Sequence, residues 1–343
     1  MSTRTVRTRR ISFRVDIRTS VVCLGLLLAT LVVAVVAIST GDYRIPVPEV
    51  VRTLFGGGTR ATSFIIETLR LPRVLTGALV GAALGCSGAI FQSLSRNPLG
   101  SPDIIGFTTG AATGAVLEIL IFHGSTIEIA GGAVVGGVAT ALAVYLLAFK
   151  RGVQGYRLIL IGIGVSAMLA SVNSYLLTRA NINDAENAQV WLTGSLNGRG
   201  WEHVRPISVA LAILLPAAFL LGRQLRLLEM GDDAARALGV RAERSRLSLL
   251  LVGVALTGVA VAAAGPVAFV ALAAPQLAHR LTRAPGVGLL SSALMGMFLL
   301  TISDYAAQRV YPSIQLPVGV ATGAVGGLYL AWLLANEWRS GRA

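Results

Sequence analysis

Arg70 and Arg73 bracket a Leu71-Pro72 pair. Proline fixes its own φ and biases the preceding residue towards extended geometry, so both guanidiniums leave a constrained turn. Their chemistry is ion pairing with an acidic surface, or anchoring at a bilayer edge to which long side chains snorkel. A second candidate is the run Gly231-Asp232-Asp233-Ala234-Ala235-Arg236-Ala237-Leu238-Gly239-Val240. Gly231 breaks the preceding segment, and Asp232 and Asp233 suit the positive end of a new helix. Ala234, Ala235 and Ala237 favour a slim helix, Leu238 gives it one apolar knob, and Gly239 suits its C′ stop. Such a helix could seat in a groove on a partner or form an ordinary turn. A third set is small and weakly polar: Ser166, Ala170 and Asn173 at helical spacing, with Thr109 and Thr113 as a similar pair. These residues suit helix contacts, or the smooth lining of a path.

Other chemistries lack their residues. No G-x-x-x-x-G-K-[ST] phosphate loop occurs, and the one lysine, Lys150, lies in Phe149-Lys150-Arg151 without the required glycine. His123, His203 and His279 are scattered, with no metal-ligand spacing. No G-x-S-x-G nucleophile motif is present. Cys23 and Cys86 fall inside apolar runs and make no disulfide framework. Glu118 and Asp304 sit near predicted outer ends of apolar segments, and Asp103 near an inner one. Ion-coupled carriers place such groups at mid-membrane, so a secondary transporter is disfavoured, as is a membrane enzyme. No cofactor or metal is expected on this chain.

The elements that must position these residues are membrane helices. Only 13% of the 343 residues are charged and 54% are hydrophobic, with a mean hydropathy of +0.73. A soluble domain carries about 25% charged residues to wet its surface. The apolar residues fall in ten runs, most long enough to cross about 30 Å of hydrocarbon: 20–40, 74–94, 104–122, 129–149, 157–178, 204–222, 246–264, 267–279, 287–303 and 317–335. The eighth is short and follows a Gly265-Pro266 break, which suggests a bent or partial helix among the others. The run from Ser20 is too long for a signal-peptide core and reads as an uncleaved first span. With both termini inside, 20 of the 29 Lys and Arg residues are cytoplasmic and 9 external, the expected positive-inside bias. The net charge of +13 therefore reflects orientation in a lipid bilayer, not nucleic-acid binding. Residues 1–19 form a basic cytoplasmic arm, 20–335 one transmembrane domain with a cytoplasmic loop at about 223–245, and 336–343 a cytoplasmic tail. Glycines recur every four residues at Gly77, Gly81 and Gly85, at Gly106, Gly110 and Gly114, and at Gly319, Gly323 and Gly327. That spacing predicts close helix packing.

Three stretches carry a resemblance. They are Leu69-Arg70-Leu71-Pro72-Arg73-Val74-Leu75 with Gln92 and Arg96-Asn97-Pro98-Leu99-Gly100; the Gly231–Val240 run; and Gly265-Pro266-Val267-Ala268-Phe269-Val270 with Pro275 and Leu316-Pro317-Val318-Gly319. In order and spacing the chain resembles the FecCD-type permeases of ABC importers for ferric siderophores, vitamin B12 and haem. The resemblance implies an all-α fold of ten helices like that of the vitamin-B12 importer permease, in the inner membrane. It implies a second permease subunit (a paralogue or a second copy), two ATPase subunits that use ATP and Mg, and an external substrate-binding protein. Gly231, Asp232, Asp233, Ala235, Leu238 and Gly239 would then couple to the ATPase. Arg70 and Arg73 would meet acidic residues of the binding protein. A further family arginine falls on Gln308 here, with Arg309 beside it. Thr109, Thr113, Ser166 and Asn173 would line the path. Trp191-Leu192-Thr193-Gly194-Ser195-Leu196 looks most like the ferric-siderophore branch, with vitamin B12 and haem as alternatives.

Overall fold

The computed structural model describes residues 3–8, 11–149, 155–286, 288–310 and 315–339. Lys150, Arg151 and the last four residues of the expected tail lie outside them. An antiparallel ribbon, β1 (Thr3–Thr8) and β2 (Ile11–Asp16), precedes the helices, with Thr3 opposite Asp16. This ribbon is the one departure from an all-helical chain among the described residues. The helices are α1 (Ile17–Ser39), α2 (Val47–Leu54), α3 (Arg60–Ser63), α4 (Leu71–Ser95), α5 (Phe107–Leu117), α6 (Thr126–Ala148) and α7 (Gly155–Arg179). After them come α8 (Ile182–Leu192), α9 (Trp201–Glu229), α10 (Asp232–Ala237), α11 (Ala242–Ala264), α12 (Val270–Thr282), α13 (Leu289–Val310) and α14 (Val318–Arg339). Wide π-helical turns join α3 to α4 and extend α5. Each of the ten expected segments coincides with a helix, and among the described residues seven helical segments are long and apolar enough to cross a membrane unaided.

Capping chemistry sets several of these starts. Asp16 accepts the Arg18 N–H ahead of α1, and Asn181 accepts that of Asp184 ahead of α8. Ser125 and Glu128 make a reciprocal capping box at α6.

The most deeply buried long helix is α4, packed against α13, α11, α9 and α12. Its glycines make this possible. A methyl on Gly81 would overlap the Gly296 carbonyl, one on Gly85 the Ser292 carbonyl, and one on Gly88 the Ala271 carbonyl. Lipid tails are as apolar as leucine, so association rests on such close contact and on polar groups that find partners. Ser87 Oγ accordingly lies 2.8 Å from the Gly253 carbonyl and 2.7 Å from Thr257 Oγ, and Gln92 Nε2 donates to the Leu272 carbonyl at 2.9 Å.

Two interruptions shape the interior. At about 1.5 Å per residue α12 spans only about 20 Å, too short to cross the hydrocarbon. It starts inside the bundle, where Gly265 (φ +73°) and Phe269 (φ +68°) turn the chain through left-handed geometry. The second interruption is the segment after α4. Gly155, at the start of α7, lies against Ser95, whereas Gly162 lies against Ile105. Residues 96–106 therefore climb about 10 Å back into the bundle before α5 begins.

Replacing Gly88 by alanine should lower thermal stability in detergent by about 1–3 kcal/mol through overpacking. The control is Gly131→Ala, where nothing lies within 4 Å of the added methyl and the unfolding midpoint should hold or rise.

Candidate functional site

Both guanidiniums flanking Leu71-Pro72 are engaged within the chain. Arg73 forks onto Asp304 of α13, Nε to Oδ2 at 3.0 Å and Nη2 to Oδ1 at 2.8 Å, and donates to Gln315 Oε1 at 3.1 Å. Its side chain is 12% exposed and that of Asp304 5%. Gln308 donates to the same carboxylate at 2.7 Å. Arg70 caps two main-chain carbonyls, Ile38 at 2.6 Å and Tyr43 at 2.7 Å, so it ties the end of α1 to the start of α4. Leu71 is helical (φ −61°, ψ −47°), so Leu71-Pro72 opens α4 and is not the extended turn expected, and neither guanidinium faces freely outward. Arg309 is an accessible charge at this rim, exposed and stacked 4.0 Å over the Tyr305 ring.

At the opposite end, α10 stands between α9 and α11. Gly231 takes φ +114° at its N-cap and Gly239 φ +82° beyond its end, where the Val240 N–H bonds back to the Ala235 carbonyl at 2.9 Å. Asp232 does not cap the helix. It binds Arg246 Nη2 at 2.8 and 2.9 Å and Arg96 Nη2 at 2.8 Å, linking α10 to α11 and to the end of α4. Burial pushes the Asp232 carboxyl up, but Arg246 and then Arg96 outweigh it and hold it below the ordinary carboxylate range. The tether is thus intact at neutral pH and is lost only as pH falls through that depressed value. Ala235 is buried against the bundle, Asp233 is fully exposed beside Arg236, and Leu238 projects 60% exposed.

The small polar residues converge. Thr109 Oγ1 and Ser166 Oγ are 2.9 Å apart, joining α5 to α7. Thr109 and Asn173 line one cavity of about 320 Å³ with Thr108, Ala112, Ala170 and Pro266. Asn173 is buried and its Oδ1 makes no hydrogen bond among the described residues. Thr113 spends its hydroxyl on the Thr109 carbonyl.

Four partners escaped the sequence reading. Asp304, Arg246 and Arg96 complete the two ion-pair clusters. Asp103, expected near an inner end, is carried upward by the re-entrant segment and accepts the Thr108 hydroxyl at 2.6 Å and the Phe269 N–H. The signal available was general: a lone carboxylate in an apolar helix, such as Asp304, requires a cation nearby.

Asp304→Ala should destabilise the protein by about 3–5 kcal/mol, because it leaves Arg73 buried without its partner. Replacing both residues by apolar ones should cost less than the sum of the single changes, and a thermal-unfolding double-mutant cycle measures the difference.

The chain as a whole is similar to known proteins. The FecCD transport family matches residues 27–336. The chain is 47% identical over 322 residues to the ferric enterobactin transport system permease protein FepG of Escherichia coli (strain K12), covering 94% of this chain and 98% of that one. It is 39% identical to the achromobactin transport system permease protein CbrC of Dickeya dadantii (strain 3937), over 91% of this chain and 90% of that one. Among solved structures, an inward-facing metal-chelate type ABC transporter superposes with a TM-score of 0.82 at 28% identity, over 92% of this chain and 99% of that chain. By fold, by length and by sequence, this membrane protein belongs to the FecCD transport family.

Proposed function

We propose that this chain is the membrane-spanning subunit of an ATP-driven importer that carries ferric siderophores across the cytoplasmic membrane. The observation that carries the reading is end-to-end similarity to a ferric enterobactin permease, 47% over 98% of that relative. The chain works beside a second permease subunit, a paralogue or a second copy. It takes cargo from an external binding protein and is powered by two ATPases that use ATP and Mg. Both termini and the loop at 223–245 face the cytoplasm, in line with the bias of arginine towards one side.

The α10 segment is the coupling element. Gly231 and Gly239 set it off as a separate short helix, Asp232 holds it to α4 and α11, and Ala235 seats it. Asp233 and the exposed Leu238 remain for the ATPase. Cargo passes along the α5–α7 face, where Thr109, Ser166 and Asn173, with Thr113 beside them, give a smooth and weakly polar lining. Docking of the binding protein begins at exposed Arg309. Arg70 and Arg73 would meet its acidic residues only by exchanging the partners they hold in this structure.

Two experiments test these roles. Leu238→Asp places a charge on the apolar contact and should abolish ATP-driven uptake while insertion and folding persist. Normal uptake with a normally bound ATPase would remove α10 from the coupling role. Arg309→Glu should slow binding-protein association severalfold at low salt and much less at high salt, because rim charges act mainly on the association rate. An unchanged rate and salt dependence would leave Arg309 no part in docking.

A further inference from the structure

Two cavities flank the irregular chain at residues 265–269. One, of about 320 Å³, reaches it at Pro266 and extends past Thr108 to Gln189 and Leu192 of α8. The other, of about 100 Å³, reaches it at Phe269 and follows α12 and α14 to Leu277 and Tyr329. Between them Ala268 is exposed. Because α11 ends at Ala264 and α12 begins at Val270, five residues without helical structure part the two spaces here.

Both ends of this strip are held. At one, the Ser195 N–H donates to the Ala264 carbonyl at 2.8 Å, and a methyl on Gly194 would overlap the Pro266 carbonyl. At the other, the Phe269 N–H donates to Asp103, which also accepts the Thr108 hydroxyl at 2.6 Å. Phe269 has φ +68°. The other non-glycine residues with positive φ among the described ones, Arg96, His123 and Arg283, cap helix C-termini, where that geometry is usual. Phe269 instead precedes a helix. A bulky residue keeps this conformation only where its surroundings impose it, as they do in switch regions. Its side chain presses on Gly326 of α14, where an added methyl would overlap the phenylalanine Cβ and Cγ. Contacts thus run from Thr108, in the wall of one cavity, through Asp103 and Phe269 to Gly326, in the wall of the other.

From this geometry we infer that Phe269 is a gate between the two cavities, closed on Gly326 in this structure, and that Asp103 is the positioning residue that holds it closed. The inference rests on the transport reading proposed above, in which Thr109 and Asn173 of the first cavity face the cargo. Opening needs either a shift of α14 away from Phe269 or a relaxation of the strained strip, and both break the Phe269–Gly326 contact.

The test uses the assembled transporter in proteoliposomes, with Cys23 and Cys86 replaced by alanine and the pair F269C/G326C introduced. The first change of the pair removes the ring that a side chain at 326 would meet. The disulfide should form at rest and fall severalfold in yield when the ATPase is trapped with ATP, Mg and vanadate. Oxidised, the pair should abolish uptake of labelled ferric siderophore, and reductant should restore it. Asp103→Ala removes a charge-assisted hydrogen bond and should lower the resting yield about tenfold per folded transporter. Asp103→Asn keeps an acceptor and should lower it less. A loss of folded transporter with an unchanged yield per molecule would overturn the role of Asp103. Uptake undiminished by the disulfide, or the same yield at rest and trapped, would overturn the gate. Where the cysteine pair blocks assembly, Phe269→Ala decides: siderophore imported per ATP hydrolysed should fall severalfold, and an unchanged ratio would overturn the gate. Failure of the wild type to import siderophore would count against the transport reading instead, and the change in disulfide yield on trapping would still decide the gate.

Discussion

The structure depends on main-chain contact between α4 and its neighbours at Gly81, Gly85 and Gly88. In a bilayer the hydrophobic effect does not drive helices together, so each interface must gain from close packing and satisfied polar groups. A side chain of any size at these positions would hold α13 or α12 away from α4. Gln92 would then lose its partner, the Leu272 carbonyl, and the short α12 would lose the wall against which it stands. An incomplete helix is tolerable in a membrane only where protein surrounds it.

With α4 seated, its two ends become fixed reference points. At one end Arg73 binds Asp304 and, through Gln315, holds the approach to α14; at the other Arg96 binds Asp232 of α10. The exposure of the two pairs differs, and so does their energetic meaning. The Arg73–Asp304 pair is nearly dry and bidentate, so losing one partner is severe. The Arg96–Asp232 contact is half-exposed, and pairs of that kind are worth about 0–1 kcal/mol. Its value here is positional: it adds a second direction to the hold that buried Arg246 already has on Asp232.

Much of this was legible in the residues. Ten apolar runs gave ten helices, and the Gly265-Pro266 break marked the partial helix. Gly231 and Gly239 bounded α10 because no other residue enters positive φ as cheaply. The small polar residues of α5 and α7 met because helical spacing put each set on one face. Long-range pairing was not legible. Nothing local to Arg73 names Asp304, 231 positions away, so a buried bidentate pair looked like a pair of outward charges. The re-entrant climb of residues 96–106 was hidden for a similar reason. Its length and polarity suit an ordinary loop, and only packing against Gly162 draws it inward to place Asp103 beneath the cavity. The N-terminal ribbon had no pattern distinguishing it from a basic arm.

As a member of the FecCD transport family the chain is a permease subunit, and the family implies a partner ATPase and a substrate-binding partner. The most direct measurement is uptake into proteoliposomes that hold the assembled transporter, with ATP inside and the loaded binding protein outside. The account predicts that labelled ferric siderophore accumulates only with a hydrolysing ATPase, is indifferent to ionophores, and exceeds the uptake of labelled vitamin B12 or haem. Accumulation that continues without the ATPase and collapses with an ionophore would contradict it.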